Sequence, residues 1–168
     1  MPGHREVNSM RHNRLEGSLD GEQVELREQL EMENLQVQLA QIDGRISNLN
    51  RHKKIKELEM NKELQKEENT ANKEIIEIGA YYGKMMNDIQ NKMAQPGRNE
   101  VIEMVERLNE KTQERNDKLQ ERRNKSRGRK DVIQQRHKPE IDRINGLIQR
   151  REINRQRVVN RIEYYPGS

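Results

Sequence analysis

Apolar residues form two runs that reflect each other across the dipeptide Pro96-Gly97. Before it, Ile75, Ile78, Tyr82, Met85 and Ile89 step by 3, 4, 3 and 4. After it, Val101, Val105, Leu108, Thr112 and Arg115 step by 4, 3, 4 and 3. Alternating steps of three and four keep side chains on one face of a helix. Further from the dipeptide, Leu35, Leu39, Ile42, Ile46 and Leu49 continue the outgoing face, and Ile141, Ile144, Ile148 and Val158 continue the return face. The pattern predicts an all-α fold: a long antiparallel helical hairpin, or coiled coil, turning at Pro96-Gly97.

Breakers and caps set the expected boundaries. Residues 1–20 lack periodicity and read as a flexible tail. Ser18 or Asp20 can cap a helix start, with Glu22 in the first turn. The outgoing helix then covers 21–94, about 74 residues and about 110 Å at 1.5 Å each. The turn takes 95–98, because Pro disfavours a helix before it and Gly supplies the reversal. A return helix covers 99–163, with candidate breaks near 126–128 and at Pro139, and 164–168 form the C-terminal end. The rival architecture is a homodimer of less bent helices.

A turn centred on residue 95 predicts the layers. Ile89 meets Val101, Met85 meets Val105, Tyr82 meets Leu108 and Ile78 meets Thr112. Farther out Leu49 meets Ile141, Ile46 meets Ile144, Ile42 meets Ile148, Gly44 faces Gly146, and Met32 is level with Val158. Leu49 to Ile75 and Arg115 to Ile141 are both 26 residues, two short of four heptads. This shared departure predicts matched stutters that unwind the supercoil locally. Apolar layers thin between Leu58 and Ala71, so that zone should be the softest. Leu26, Leu30, Val37, Met60, Leu64, Ile76 and Met86 fall off the seam, on surfaces that a partner or a second copy would cover.

Composition narrows the class. Only 30% of residues are hydrophobic and 37% are charged, with no Phe, Trp or Cys and four Tyr. No compact globular core can be built from that inventory, whereas a coiled coil can. The missing cysteines remove disulfides, thiol catalysis and thiolate metal sites. No stretch approaches the ~20 apolar residues needed to span a bilayer, and Met1–Asp20 hold no apolar signal-like run. The expectation is an intracellular protein, cytoplasmic or part of a large assembly, with the nucleus an alternative address. Charge is uneven: residues 21–50 carry net −4 and residues 121–168 net +8. In the expected register Glu22, Glu25, Glu28, Glu31 and Glu33 lie near Arg155, Arg157 and Arg161.

Catalytic signatures are near misses. Gly79-Ala80-Tyr81-Tyr82-Gly83-Lys84 has one residue too few between its glycines for a phosphate loop, and Met85 stands where Ser or Thr should bind magnesium. His4, His12, His52 and His137 have neither zinc-ligand spacing nor a Glu three residues ahead. His52 and His137 come nearly opposite in the expected register, where solvated polar residues are a simpler reading than a metal bridge. The expectation is a protein that is not an enzyme, with no cofactor, metal or small-molecule ligand.

The one chemically pointed segment is basic. Arg122, Arg123, Lys125, Arg127, Arg129 and Lys130 crowd nine residues without an intervening acid. They could contact an anionic partner: nucleic-acid phosphates, an acidic protein or a nuclear-import receptor. Arg123-Asn124-Lys125-Ser126 loosely fits a basophilic kinase site. Alternatively, Glu63, Glu67 and Glu68 pair with Arg127, Arg123 and Arg122, which answers about half the cluster internally. No aromatic residue lies near the patch for base stacking, so nucleic acid is not the favoured partner. The leading expectation is a structural coiled coil: a spacer, scaffold or lattice component acting through protein contacts or self-association along a rod. A basic accessory protein binding RNA or DNA through 122–130 is the alternative, and an assembly scaffold or stalk of a capsid or secretion machine shares the same physics.

Overall fold

The computed structural model describes residues 19–93 and 98–164. They form two helices, α1 (Leu19–Met93) and α2 (Arg98–Tyr164), packed against each other as an antiparallel helical hairpin. Residues up to 18 of the predicted tail, 95–97 of the predicted turn and 165–168 of the predicted end lie outside the described residues, while Arg98 and Tyr164, assigned above to the turn and the end, are helical. Leu19 and Asp20, assigned above to the tail, are helical. α2 runs through 126–128 and Pro139 without a break. Pro139 leaves the carbonyl of Gln135 without its usual N–H partner. Because Gln135 and Pro139 are both exposed, water can take that place.

The contacts divide the chain into two units, Met1–His52 with Ile144–Ser168, and Lys53–Arg143. In the first, Leu35, Ile144, Ile148 and Val158 are buried, and Met32, Leu39, Ile42, Ile46, Leu49, Leu147 and Ile162 are half-buried. Ile144 retains 0% of its surface. In the second, Ala71 and Tyr82 are buried. Ile75, Ile78, Met85, Ile89, Val101, Leu108 and Ile141 are half-buried. Val105 is 39% exposed, and Met104, one position earlier, takes the half-buried place expected for it.

The thin zone of the seam is filled differently from expectation. Met60, Leu64 and Met86, placed off the seam above, are half-buried. On α1, where Glu57, Glu63, Glu68 and Glu74 are half-covered as well, a covered row through Lys53, Lys56, Met60, Leu64, Glu67, Ala71 and Ile75 steps by 3, 4, 4, 3, 4 and 4. On α2, Arg115, Leu119, Arg122, Ser126, Lys130, Ile133 and His137 step by 4, 3, 4, 4, 3 and 4. Each set spans two 11-residue repeats. That period, about 3.67 residues per turn, relieves the left-handed supercoil that strict heptads impose. Covered rows of that period can be traced on both arms, with polar side chains occupying many of their positions.

The register differs from the expected one by about a heptad. In the first unit, Ile42 borders the same cavity as Val158, and Asp43 accepts a 2.6 Å hydrogen bond from Arg155. In the second, Glu68 pairs with Lys130 rather than Arg122. Thr112 Oγ1 lies 3.3 Å from Met86 Sδ rather than beside Ile78. His137 stands 3.2 Å from Glu63 rather than opposite His52. Two geometric facts explain the shift. A slide of seven residues returns nearly every side chain to its original face, so periodicity alone cannot tell the two registers apart. Side chains also lean toward their own helix N-terminus, so in an antiparallel pair the tips meet residues displaced from those at the same level. Gly44 and Gly146 mark no close approach, since a methyl added at either meets nothing within 4 Å.

Truncation at the centre of the first unit should be costly and truncation on the outside should not. Ile144→Ala should lose about 2–5 kcal/mol. Leu58→Ala, at 65% exposure, should stay within about 0.5 kcal/mol of the parent. Urea unfolding followed by far-UV circular dichroism measures both.

Candidate functional site: the basic segment of α2

Residues 122–130 sit mid-helix on α2, so their side chains fan around the axis at 100° steps. This divides the cluster. Arg122 faces α1 and is 6% exposed, and Ser126, one turn later, is equally buried. Lys130 follows on the same side, half-buried. Arg123, Lys125, Arg127 and Arg129 are exposed.

Arg122 is tied to two carboxylates of α1. Its Nη2 lies 3.5 Å from Glu67 and its Nε donates to Glu74. Arg129 approaches the other oxygen of Glu67 at 3.7 Å, and Lys130 pairs with Glu68. The fork of a guanidinium suits this bridging role better than an ammonium. Arg122 and Glu67 are both largely withdrawn from water, so their pairing offsets a desolvation cost that either would bear alone. Arg122 Nη1 and Ser126 Oγ are buried without hydrogen-bond partners among the described residues. Arg123, Lys125 and Arg127 make no ion pair within 4 Å there. Three of the six candidate contact residues are thus held internally and three face solvent without a carboxylate.

A second charged group lies further along the same unit. Glu63 pairs with Arg136, and His137 Nε2 stands 3.2 Å from the same carboxylate oxygen. That approach is close in distance, but its geometry does not make a hydrogen bond. His137, and then Arg136, hold the Glu63 carboxyl below the usual carboxylate range, while partial desolvation opposes them. Lys130 does the same for Glu68. Among the described residues no three His, Asp or Glu gather as metal ligands.

Sequence reasoning found the basic cluster and expected about half of it to pair internally, but it put Arg123 and Arg127 in that half where Arg129 and Lys130 stand. It assigned Glu63, Glu67 and Glu68 to Arg127, Arg123 and Arg122, one heptad away from most of the pairs that form. The missed signal is steric and electrostatic together: Glu67 and Glu74 are seven residues apart on one face, a spacing that lets one arginine reach both. Glu74 was not singled out. No helix among the described residues is long and apolar enough to cross a membrane. Comparison with protein-family models, curated proteins and solved structures finds no match to this chain.

Two outcomes follow from this geometry. Arg122→Ala should destabilise the hairpin by about 3–5 kcal/mol, because it strands Glu67 in a desolvated position; Arg123→Ala should change stability by less than about 0.5 kcal/mol. Replacing Arg122 and Glu67 together by Leu should recover most of the loss, as chemical denaturation of the double variant would show. The second concerns pH. Glu63 and Glu68 have depressed folded-state pKa values, so their stabilisation is complete above the ordinary glutamate range and is lost as pH falls through the folded values. Melting temperature should therefore decline below about pH 4.5. It should decline less steeply in the E63Q/E68Q variant, read by thermal circular dichroism across pH 2.5–7.

Proposed function

We propose that this chain is a non-enzymatic structural coiled-coil protein that acts as a spacer, scaffold or lattice component through protein–protein contacts along its helices. The observation that carries this reading is the set of large apolar residues left outside the seam. Leu58 and Ile76 in the second unit are 65% and 71% exposed, and Leu26, Leu30 and Val37 in the first unit are each more than half exposed. Charged helices have no need of such residues on their outer faces, and exposed apolar groups at helical spacing suit the docking of another helix. Many of the charged groups are already engaged in pairing within or between the helices, which favours apolar contact as the means of partner recognition.

A specific observation favours the second reading, a basic accessory protein that binds nucleic-acid backbone. Arg123, Lys125 and Arg127 are exposed and lack carboxylate partners among the described residues. Three phosphate contacts would give a modest, strongly salt-dependent affinity without base specificity.

Site-specific photo-crosslinkers at Leu58 and Ile76 test the first reading in cells. Both should capture the same protein, and capture from Leu58 should fail when Ile76→Glu is introduced, with helicity unchanged. Capture of nothing, or of proteins indifferent to Ile76→Glu, refutes a specific contact. Fluorescence anisotropy with duplex RNA and DNA tests the second. Binding should weaken steeply between 50 and 200 mM salt, and replacing Arg123, Lys125 and Arg127 should reduce the salt slope by about 2–3; no binding at low salt removes that reading.

A further inference from the structure

The first unit leaves complementary charges unsatisfied side by side. Every residue from Gly21 to Leu30 is exposed. The last turns of α2 account for this: Arg161 borders the same cavity as Gln38 and Gln41, so no described residue of α2 lies beside the first turns of α1. Residues 21–34 hold five glutamates and one arginine. Glu22, Glu25, Glu28 and Glu33 make no ion pair within 4 Å among the described residues. Leu26, Leu30 and Val37 form an exposed apolar stripe among them. Their spacing of four and seven residues keeps them on one side of α1, opposite Leu35, Leu39 and Ile42 of the seam.

A few turns along, the same unit offers the reverse chemistry. A groove of about 420 Å³ has Ile42 and Val158 in its lining and is edged by Arg45, Arg151, Arg157 and Arg161. None of these four arginines has a carboxylate within 4 Å among the described residues. Asp43, the nearest acid on α1, is committed to Arg155. The acidic turns cannot bend back onto this groove, because the continuous helix α1 that carries them also forms one of its walls. A second molecule can bring them together.

We propose that a second copy of this chain docks here, with the acidic apolar turns 21–31 of each copy lying in the arginine-edged groove of the other. A two-fold axis at the level of Leu35 satisfies both contacts at once, since residue 28 of one copy then stands beside residue 42 of its partner. Such an interface is isologous and closes on itself, which stops growth at a dimer. Pairing two acidic segments with each other, the other symmetric choice, sets Glu22, Glu25 and Glu28 of one copy against the same three of the other and is repelled. The proposal names the partner for one part of the surface assigned above to protein contacts and rests on that reading.

Sedimentation equilibrium of the full chain tests it. The expected result is a monomer–dimer equilibrium that weakens at least tenfold between 50 and 500 mM salt, because the contact is edged by exposed charge. Arg157→Glu with Arg161→Glu should abolish the dimer, and Glu25→Arg with Glu28→Arg added in the same chain should restore it. Far-UV circular dichroism checks that each variant stays helical. Mixing a chain carrying L30C with one carrying Q41C should yield disulfide-linked heterodimers. A chain that stays monomeric at every concentration, or a dimer indifferent to the arginine reversals and giving no mixed disulfide, overturns the proposal. If the crosslinker at Ile76 still captures a foreign protein in that case, the structural reading of the chain stands and only the self-pairing falls.

Discussion

Each helix of this chain has one stripe capable of leaving water, and burying that stripe is the constraint on which everything else depends. With 30% hydrophobic residues, neither helix can be apolar on two sides. The stripes must cover each other, and residues such as Leu35, Ile144 and Val158 owe their burial to that mutual covering. Helices of this composition gain most of their stability from tertiary contact rather than from intrinsic propensity. The antiparallel hairpin lets one chain supply both stripes, so the entropic cost of bringing them together is a loop closure rather than an association.

Where apolar residues run short, ions take their place. Between Lys53 and Ile75 on α1, and between Arg115 and His137 on α2, the covered face is shared among Met60, Leu64, Ala71 and a set of lysines, arginines and glutamates. Arg122 stands at the centre of it, bridging Glu67 and Glu74. A buried charge set adds little net stability but resists sliding, because displacement by one heptad strands ions that have lost their solvent. Heptads by themselves offer no such resistance. The polar stretch therefore serves as the register lock of a seam whose hydrophobic layers would fit almost as well one heptad away.

The same lock sorts the basic cluster into two chemical populations. Arg122 and Lys130 are consumed by the seam, while Arg123, Lys125 and Arg127 project outward. In the first unit Asp43 is joined to Arg155, while Glu22, Glu25, Glu28 and Glu33 and the arginines Arg45, Arg151, Arg157 and Arg161 make no ion pair among the described residues.

Helical phase was legible in the sequence because it is a local property: steps of three and four from Leu35 to Leu49, and from Ile75 to Ile89, allow one face and no other. Fold class followed from that. Val105 failed as a seam residue because its neighbour Met104, equally apolar, takes the half-buried place and leaves Val105 exposed. Register was a different kind of quantity. It depends on which ions meet across the seam and on how far leaning side chains reach, and the sequence repeats too regularly to reveal it. Only the tertiary structure could decide that Glu68 meets Lys130, that Arg122 is buried between two glutamates, and that the acidic start of α1 stands clear of the arginines at the end of α2. The sequence by itself determined which sides of the helices meet; the packed pair determined which residues do, because charge and side-chain reach distinguish alignments that hydrophobic period leaves equivalent.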